Sequence, residues 1–147
     1  MTVSNIQQFD EITGRVLGTL YENFPVPKSL RIKQFVEDGF IYDERVQVDV
    51  PSESGMFFMA CIDWLAEAGY LRFRSKAHND GFVEAVLTAK GLEVLKAIPE
   101  SLQTGPSLGD QLVDATKSGA KSLLGSIAGQ ALSIGVHMAS AKLGLSG

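Results

Sequence analysis

Between residues 56 and 98 the apolar positions recur at helical spacing, then alternate, then return to helical spacing. Two changes of period in so short a stretch leave one element order: helix, β-hairpin, helix. Phe57, Cys61, Trp64, Leu65 and Ala68 form the expected core stripe of the first helix, with Glu53, Met56, Ala60, Asp63 and Glu67 opposite. Ser52 or Ser54 caps that helix and Gly69 stops it. Leu71, Phe73 and Ser75 then alternate with Arg72, Arg74 and Lys76. His78-Asn79-Asp80-Gly81 supplies residues that tolerate left-handed backbone, and residues 82–87 return as the second strand. Thr88 caps a helix over 89–98 that buries Leu92 and Leu95, and Pro99 halts it.

Upstream, the Ser4–Gln7 spacing is a capping box opening a helix that buries Ile6, Phe9, Val16, Leu17, Leu20 and Phe24. Pro25 and Pro27 end it near Asn23. A shorter helix is predicted over 29–37, presenting Leu30, Ile32, Phe35 and Val36. Residues 45–50 alternate as a half-buried strand, with Val46, Val48 and Val50 on one face, closed by Pro51.

The run WLAEAGYLRFRSKAHNDGFVEAVLTAKGLEVL, with Leu87-Thr88-Ala89-Lys90-Gly91 at a helix start, resembles the winged-helix superfamily. In that superfamily a Leu-rich helix ending in Gly leads into a wing and then a Leu-Thr-x-x-Gly helix start. The resemblance covers about residues 5–98 and implies an α+β winged-helix domain over 1–99, with little said about activity. Residues 40–51 make a longer joint than the superfamily's usual one. The helix that would enter DNA in such a domain offers Glu53, Asp63 and Glu67 and carries no base. A groove-reading helix needs Lys or Arg to neutralise phosphates and to read base edges.

Charge points the same way. The net charge is −4. Residues 1–100 hold 10 Lys or Arg against 15 Asp or Glu, and residues 101–147 hold 3 against 2. Neither part is the basic body of a non-specific nucleic-acid binder. Arg72, Arg74 and Lys76 are the candidate nucleic-acid contacts, set on one face of the first wing strand, with Glu84 available as a cross-strand partner. The single cysteine, Cys61, leaves no internal disulfide. The N-terminal MTVSNIQQFDE lacks the basic and apolar regions of a secretory signal, so the expected location is the cytoplasm, with peripheral membrane association as a variant.

Residues 100–106 read as a linker and 107–147 as a Gly- and Ala-rich helical tail, opened by a Ser107–Asp110 capping box. Residues 122–141 carry no formal charge. Ser122, Ser126, Gln130, Ser133, His137 and Ser140 form a narrow polar stripe, and the remainder is apolar or small. Gly in a helix interior costs about 1 kcal/mol relative to Ala, so such a helix needs something packed against it. Gly125 and Gly129 make a GxxxG pair, and with Leu124, Ile127, Ala128 and Ile134 they form the candidate association face. Association, membrane insertion through 122–141 and folding back on the domain all fit that pattern, with association favoured. A helix break near Gly119 or Gly135 stays open.

No cluster announces a chemistry. His78 and His137 lack partners at ligand spacing, Cys61 sits on the core stripe without a flanking base, and Asp63 with Glu67 reads as a solvated face. The expectation is a non-enzyme with no catalytic, cofactor or metal site. Its expected function is a winged-helix protein–protein interaction module, a homo-oligomer or one that docks a partner through the C-terminal helix. A DNA-binding regulator with a basic wing and a dimerising tail is the first alternative. A membrane-associated protein is the second. The association reading expects a chain ending before residue 107 to stay folded and change its oligomeric state.

Overall fold

The computed structural model describes residues 4–78, 80–97 and 105–142. It is an α+β fold of six helices with small antiparallel sheets and a long C-terminal helix. The first helix, α1 (Asn5–Asn23), opens on the expected capping box: the Ser4 hydroxyl accepts from Gln7 N–H, and Gln7 Oε1 accepts from Ser4 N–H at 3.1 Å. Then come β1 (Lys28–Arg31), the short α2 (Ile32–Phe35), β2 (Phe40–Asp43) and β3 (Val48–Pro51). The third helix, α3 (Glu53–Glu67), capped by Ser52, leads into β4 (Leu71–Arg72), β5 (Ser75–Ala77) and β6 (Gly81–Leu87). Three more helices follow among the described residues: α4 (Ala89–Lys96), α5 (Leu108–Ser118) and α6 (Lys121–Lys142).

Two local expectations fail because non-local pairing overrides local periodicity. Residues 29–37 are not one helix. Lys28, Leu30 and Arg31 pair antiparallel with Ala85, Phe82 and Gly81, which draws the first part into a sheet and leaves only α2 helical. Gly81 permits this approach, since a Cβ there would stand 2.2 Å from the Leu30 carbonyl oxygen. Residues 45–50 are not one strand either. They straddle the turn and second arm of the β2–β3 hairpin, in which Ile41 faces Val50 and Asp43 faces Val48. Asp43 Oδ1 accepts from Arg45 N–H at 2.9 Å, and Gln47 takes φ +58°, so the turn captures Val46 and leaves it exposed.

The main sheet has β6 between β1 on one side and β4 and β5 on the other. The expected strand through Arg72, Arg74 and Lys76 is interrupted at Phe73 and Arg74, where Arg74 N–H still reaches Val83 O at 2.9 Å. Behind the sheet, Leu30, Phe82, Ala85 and Leu87 meet Val16, Leu17 and Leu20 of α1 and Phe58, Ile62 and Leu65 of α3 in one core.

The C-terminal segment is part of that core. It breaks once, at Gly119 (φ +73°), where Ala120 N–H bonds Ala115 O at 3.1 Å as a left-handed cap closing α5. Both α5 and α6 fold back onto α1. Leu124, Ile127 and Ala128 of the expected association face are fully buried inside the chain's own core, and Ile134 packs against it. The pair that allows close helix approach is Gly14 and Gly18 of α1, not Gly125 and Gly129. A Cβ on Gly14 would lie 2.8 Å from Leu124 O and one on Gly18 3.2 Å from Leu112 Cβ, whereas one on Gly129 meets nothing within 4 Å. Gly125 faces only Asp10 Cβ, at 3.6 Å. The linker expected at 100–106 falls mostly on residues 98–104, outside the described residues.

Burying Leu108, Leu112, Leu124 and Ile127 contributes roughly 6–12 kcal/mol, as much as the whole stability of an ordinary domain, about 5–15 kcal/mol. A chain ending at Pro106 should therefore lose cooperative unfolding rather than remain a folded domain, as read by denaturant titration and near-ultraviolet circular dichroism. Gly14→Ala should cost about 1–3 kcal/mol by forcing α1 off α6. Gly129→Ala, in open space, should leave stability unchanged or raise it by up to about 1 kcal/mol. A loss at Gly14 and no loss at Gly129 in the same titration is the expected outcome.

Candidate functional site

Helix α3 carries more apolar side chains than one face can bury, and the fold decides which are left over. Phe58, Ile62 and Leu65 point into the core, with Met59 and Cys61 beside them. That turns the expected stripe by about a quarter of the helix circumference: Phe57 is only half-buried, and Trp64 and Met56 are 49% and 56% exposed. The first turns of α1 lie alongside, with Ile6 63% exposed and the Phe9 ring edge-on to Trp64 at 5.3 Å between centroids. Between the helices runs a groove of 360 Å³ lined by Asn5, Ile6, Phe9, Phe57, Ala60, Cys61 and Trp64. Asn5 is its one strongly polar lining residue.

The groove sits in an acidic surround. Glu53, Ala60 and Glu67 follow each other at intervals of seven along the exposed side of α3, which places an acid at each end of the groove wall. Residues 53–69 hold Glu53, Asp63 and Glu67 and no Lys or Arg, whereas on α1 Asp10 lies against Gly125 and Glu11 lines the neighbouring cleft. Lys76 reaches α3 from the sheet, where its Nζ bonds Asp63 Oδ2 at 2.9 Å. Burial raises the Asp10 carboxyl from its ordinary value.

The three basic wing residues are exposed, and two of them make surface ion pairs. Arg74 pairs with Glu84 at 3.0 Å, and Lys76 with Asp63. Among the described residues only Arg72 of the three makes no ion pair. The interruption at Phe73 and Arg74 also removes the continuous alternation that would align them on one face. On the other side of Phe57 lies a larger cleft, 560 Å³, bounded by Glu11, Arg15, Lys33, Glu37, Asp38 and Lys121. Its charges are of both signs, and Arg15 donates to the carbonyl oxygens of Phe35 at 2.7 Å and Gln34 at 3.0 Å. That arrangement ties α1 to α2.

His78 and His137 are both exposed, in the wing turn and on α6. Among the described residues no group of three His, Cys, Asp or Glu could hold a metal ion. No helix among them is long and apolar enough to cross a membrane. Cys61 is buried at the groove floor, and desolvation pushes its thiol up to about 12 from 9.0, away from the thiolate that nucleophilic chemistry requires. Comparisons with protein-family models, with curated proteins and with solved structures find no match.

Sequence reasoning missed the groove because Phe57 and Trp64 fit a helical core stripe as well as Phe58, Ile62 and Leu65 do. The surplus itself is the available signal: 56–62 is apolar without interruption, so part of it must stay outside.

The raised thiol has a pH signature. Below pH 9 the folded and unfolded chains both keep Cys61 protonated. Between 9 and about 12 only the unfolded chain ionises it, so stability falls as pH rises through that window. Cys61→Ala should flatten the fall without abolishing it, because burial also raises Tyr70. Urea midpoints at neutral pH and above pH 9 measure the difference, and a thiol reagent at neutral pH should label the native chain only as fast as it opens.

Proposed function

We propose that this chain is a non-catalytic protein–protein interaction module with a winged-helix arrangement in its first hundred residues. The arrangement is supported by β1 entering the sheet between the first two helices, with β6 central, and by α3 leading directly into the strand–turn–strand. The interaction surface is the α1–α3 groove. The single observation that carries this reading is a half-exposed Trp64 set edge-on to Phe9 in a groove also lined by exposed Ile6. Tryptophan is a costly residue to leave in water and a frequent anchor of protein interfaces.

The C-terminal helix is not the docking element in this reading, since Leu124, Ile127 and Ala128 are used internally. A homo-oligomer and a different polypeptide partner are both compatible with the groove. Duplex DNA is the lesser reading, carried by Arg72 alone after Arg74 and Lys76 are paired with acids. A cytoplasmic setting suits a free thiol at Cys61.

A photo-reactive benzophenone amino acid at Ala60, exposed on the groove wall, should yield polypeptide adducts on irradiation in cells. The same group at Gly129 on α6 should yield none. The adduct mass separates a second copy of this chain from another protein. Adducts at Gly129 alone would return the interaction to the C-terminal helix. Salt-sensitive binding to duplex DNA, lost on Arg72→Ala, would favour the nucleic-acid reading.

A further inference from the structure

The groove and the charge around it together specify a partner, and we infer that the α1–α3 groove takes a basic amphipathic helix, its apolar face against Trp64 and its Lys or Arg residues toward Glu53 and Glu67. This rests on the groove being the docking surface and adds the chemistry of its occupant.

Shape is the first argument. The groove runs between two helices and is walled by Ile6 and Phe9 on one side and Phe57, Ala60 and Trp64 on the other. An elongated apolar channel of that kind accepts side chains at helical spacing from a third helix laid along it. Ala60, small and exposed, lies between Phe57 and Trp64 on the α3 wall and lets a neighbouring helix come close. Asn5 is the only strongly polar lining residue, so the channel lacks the converging polar groups that orient a small-molecule ligand.

Charge is the second argument, and it is independent of the first. Glu53 and Glu67 make no ion pair among the described residues. They stand on the same side of α3 as Ala60, one at each end, and Met56 extends the apolar surface between them. Two cations reach this helix, and both are engaged: Lys76 is held by Asp63, and Lys90 donates to the Ala68 carbonyl at the C-terminal end. Neither α1 up to Gly14 nor α3 contributes a base. An acidic helix on this surface would meet like charge along its length, while a basic one would be steered in and held in register.

Trp64 is the only tryptophan of the chain and stands in the groove wall, so its emission reports occupancy directly. The probes are three tryptophan-free peptides of about 18 residues, five helical turns: a Leu/Lys amphipathic helix, a Leu/Glu helix of the same pattern, and a Leu/Lys peptide of the same composition with the pattern scrambled. Titrated into the full chain, the Leu/Lys helix should shift Trp64 emission to the blue and saturate. Binding should weaken about tenfold on raising the salt to a Debye length of ~3 Å. Glu53→Gln with Glu67→Gln should weaken it to a similar degree, and both positions are exposed, so the variant folds as the parent does. Equal binding of the Leu/Glu helix would overturn the charge assignment while leaving the groove as a docking surface. Equal binding of the scrambled peptide would overturn the helical occupant. No emission change with any peptide would overturn the inference outright, and adducts from Ala60 would then still uphold the groove with an occupant of different shape.

Discussion

The contact on which the rest of the structure leans is the one where α1 meets the last two helices at two of its own glycines. At Gly14 the space for a Cβ is already filled by the carbonyl of Leu124, and at Gly18 a Cβ would stand in tight contact with Leu112. Helices normally stand 8–10 Å apart, at distances set by their side chains. Glycine removes that spacer on one side and lets van der Waals contact run along the axis. With α5 and α6 docked there, α1 is left with Val16, Leu17 and Leu20 for the sheet and α3. Its N-terminal turns, carrying Ile6 and Phe9, run along α3 and form the groove wall. The groove is thus a consequence of how α1 is held from behind.

The same fit recurs at two aromatic rings. Gly109 lies against the face of Tyr21, where a Cβ would come within 2.6 Å of the ring. Gly135 makes room for Tyr70, whose hydroxyl donates to Leu132 O at 3.2 Å. Lys90 stands over the other end of this joint, 4.5 Å from the Tyr70 ring centroid, with its Nζ donating to the carbonyl of Ala68, the residue that caps the end of α3. Helix α3 is therefore fixed at its C-terminus by a residue of α4 and, through Tyr70, by α6. A surface built on α3 inherits that rigidity, which lowers the ordering cost of binding.

Much of this was legible in the sequence, and the limits have physical reasons. Ser4–Gln7, Thr88, Ser107 and Gly119 act within a few residues of themselves, so their caps could be read locally. The helix expected over 29–37 could not, because β1 exists only by pairing with β6, some fifty residues later. Nor could the face of α3, since an unbroken apolar run carries no phase. The Gly125–Gly129 spacing was visible and so was Gly14–Gly18, but spacing alone does not say which pair has a neighbour. The acidic sign of α3 needed no fold at all: Glu53 and Glu67 are exposed, and Asp63 is half-buried in its ion pair with Lys76.

Helix α6 explains its own odd composition once that neighbour is known. Its exposed side keeps Ser122, Ser126, Gln130, Ser133 and His137, the polar stripe. Its buried side offers Leu124, Ile127, Ala128 and Ala131, of which two are alanines. So little large apolar surface contributes only if it comes very close, because dispersion attraction is lost within an ångström of separation. At Gly14 the backbone of α1 comes close enough to α6 that a Cβ would lie 2.8 Å from the Leu124 carbonyl oxygen. Gly18 meets Leu112 of α5, so the two glycines of α1 serve both C-terminal helices.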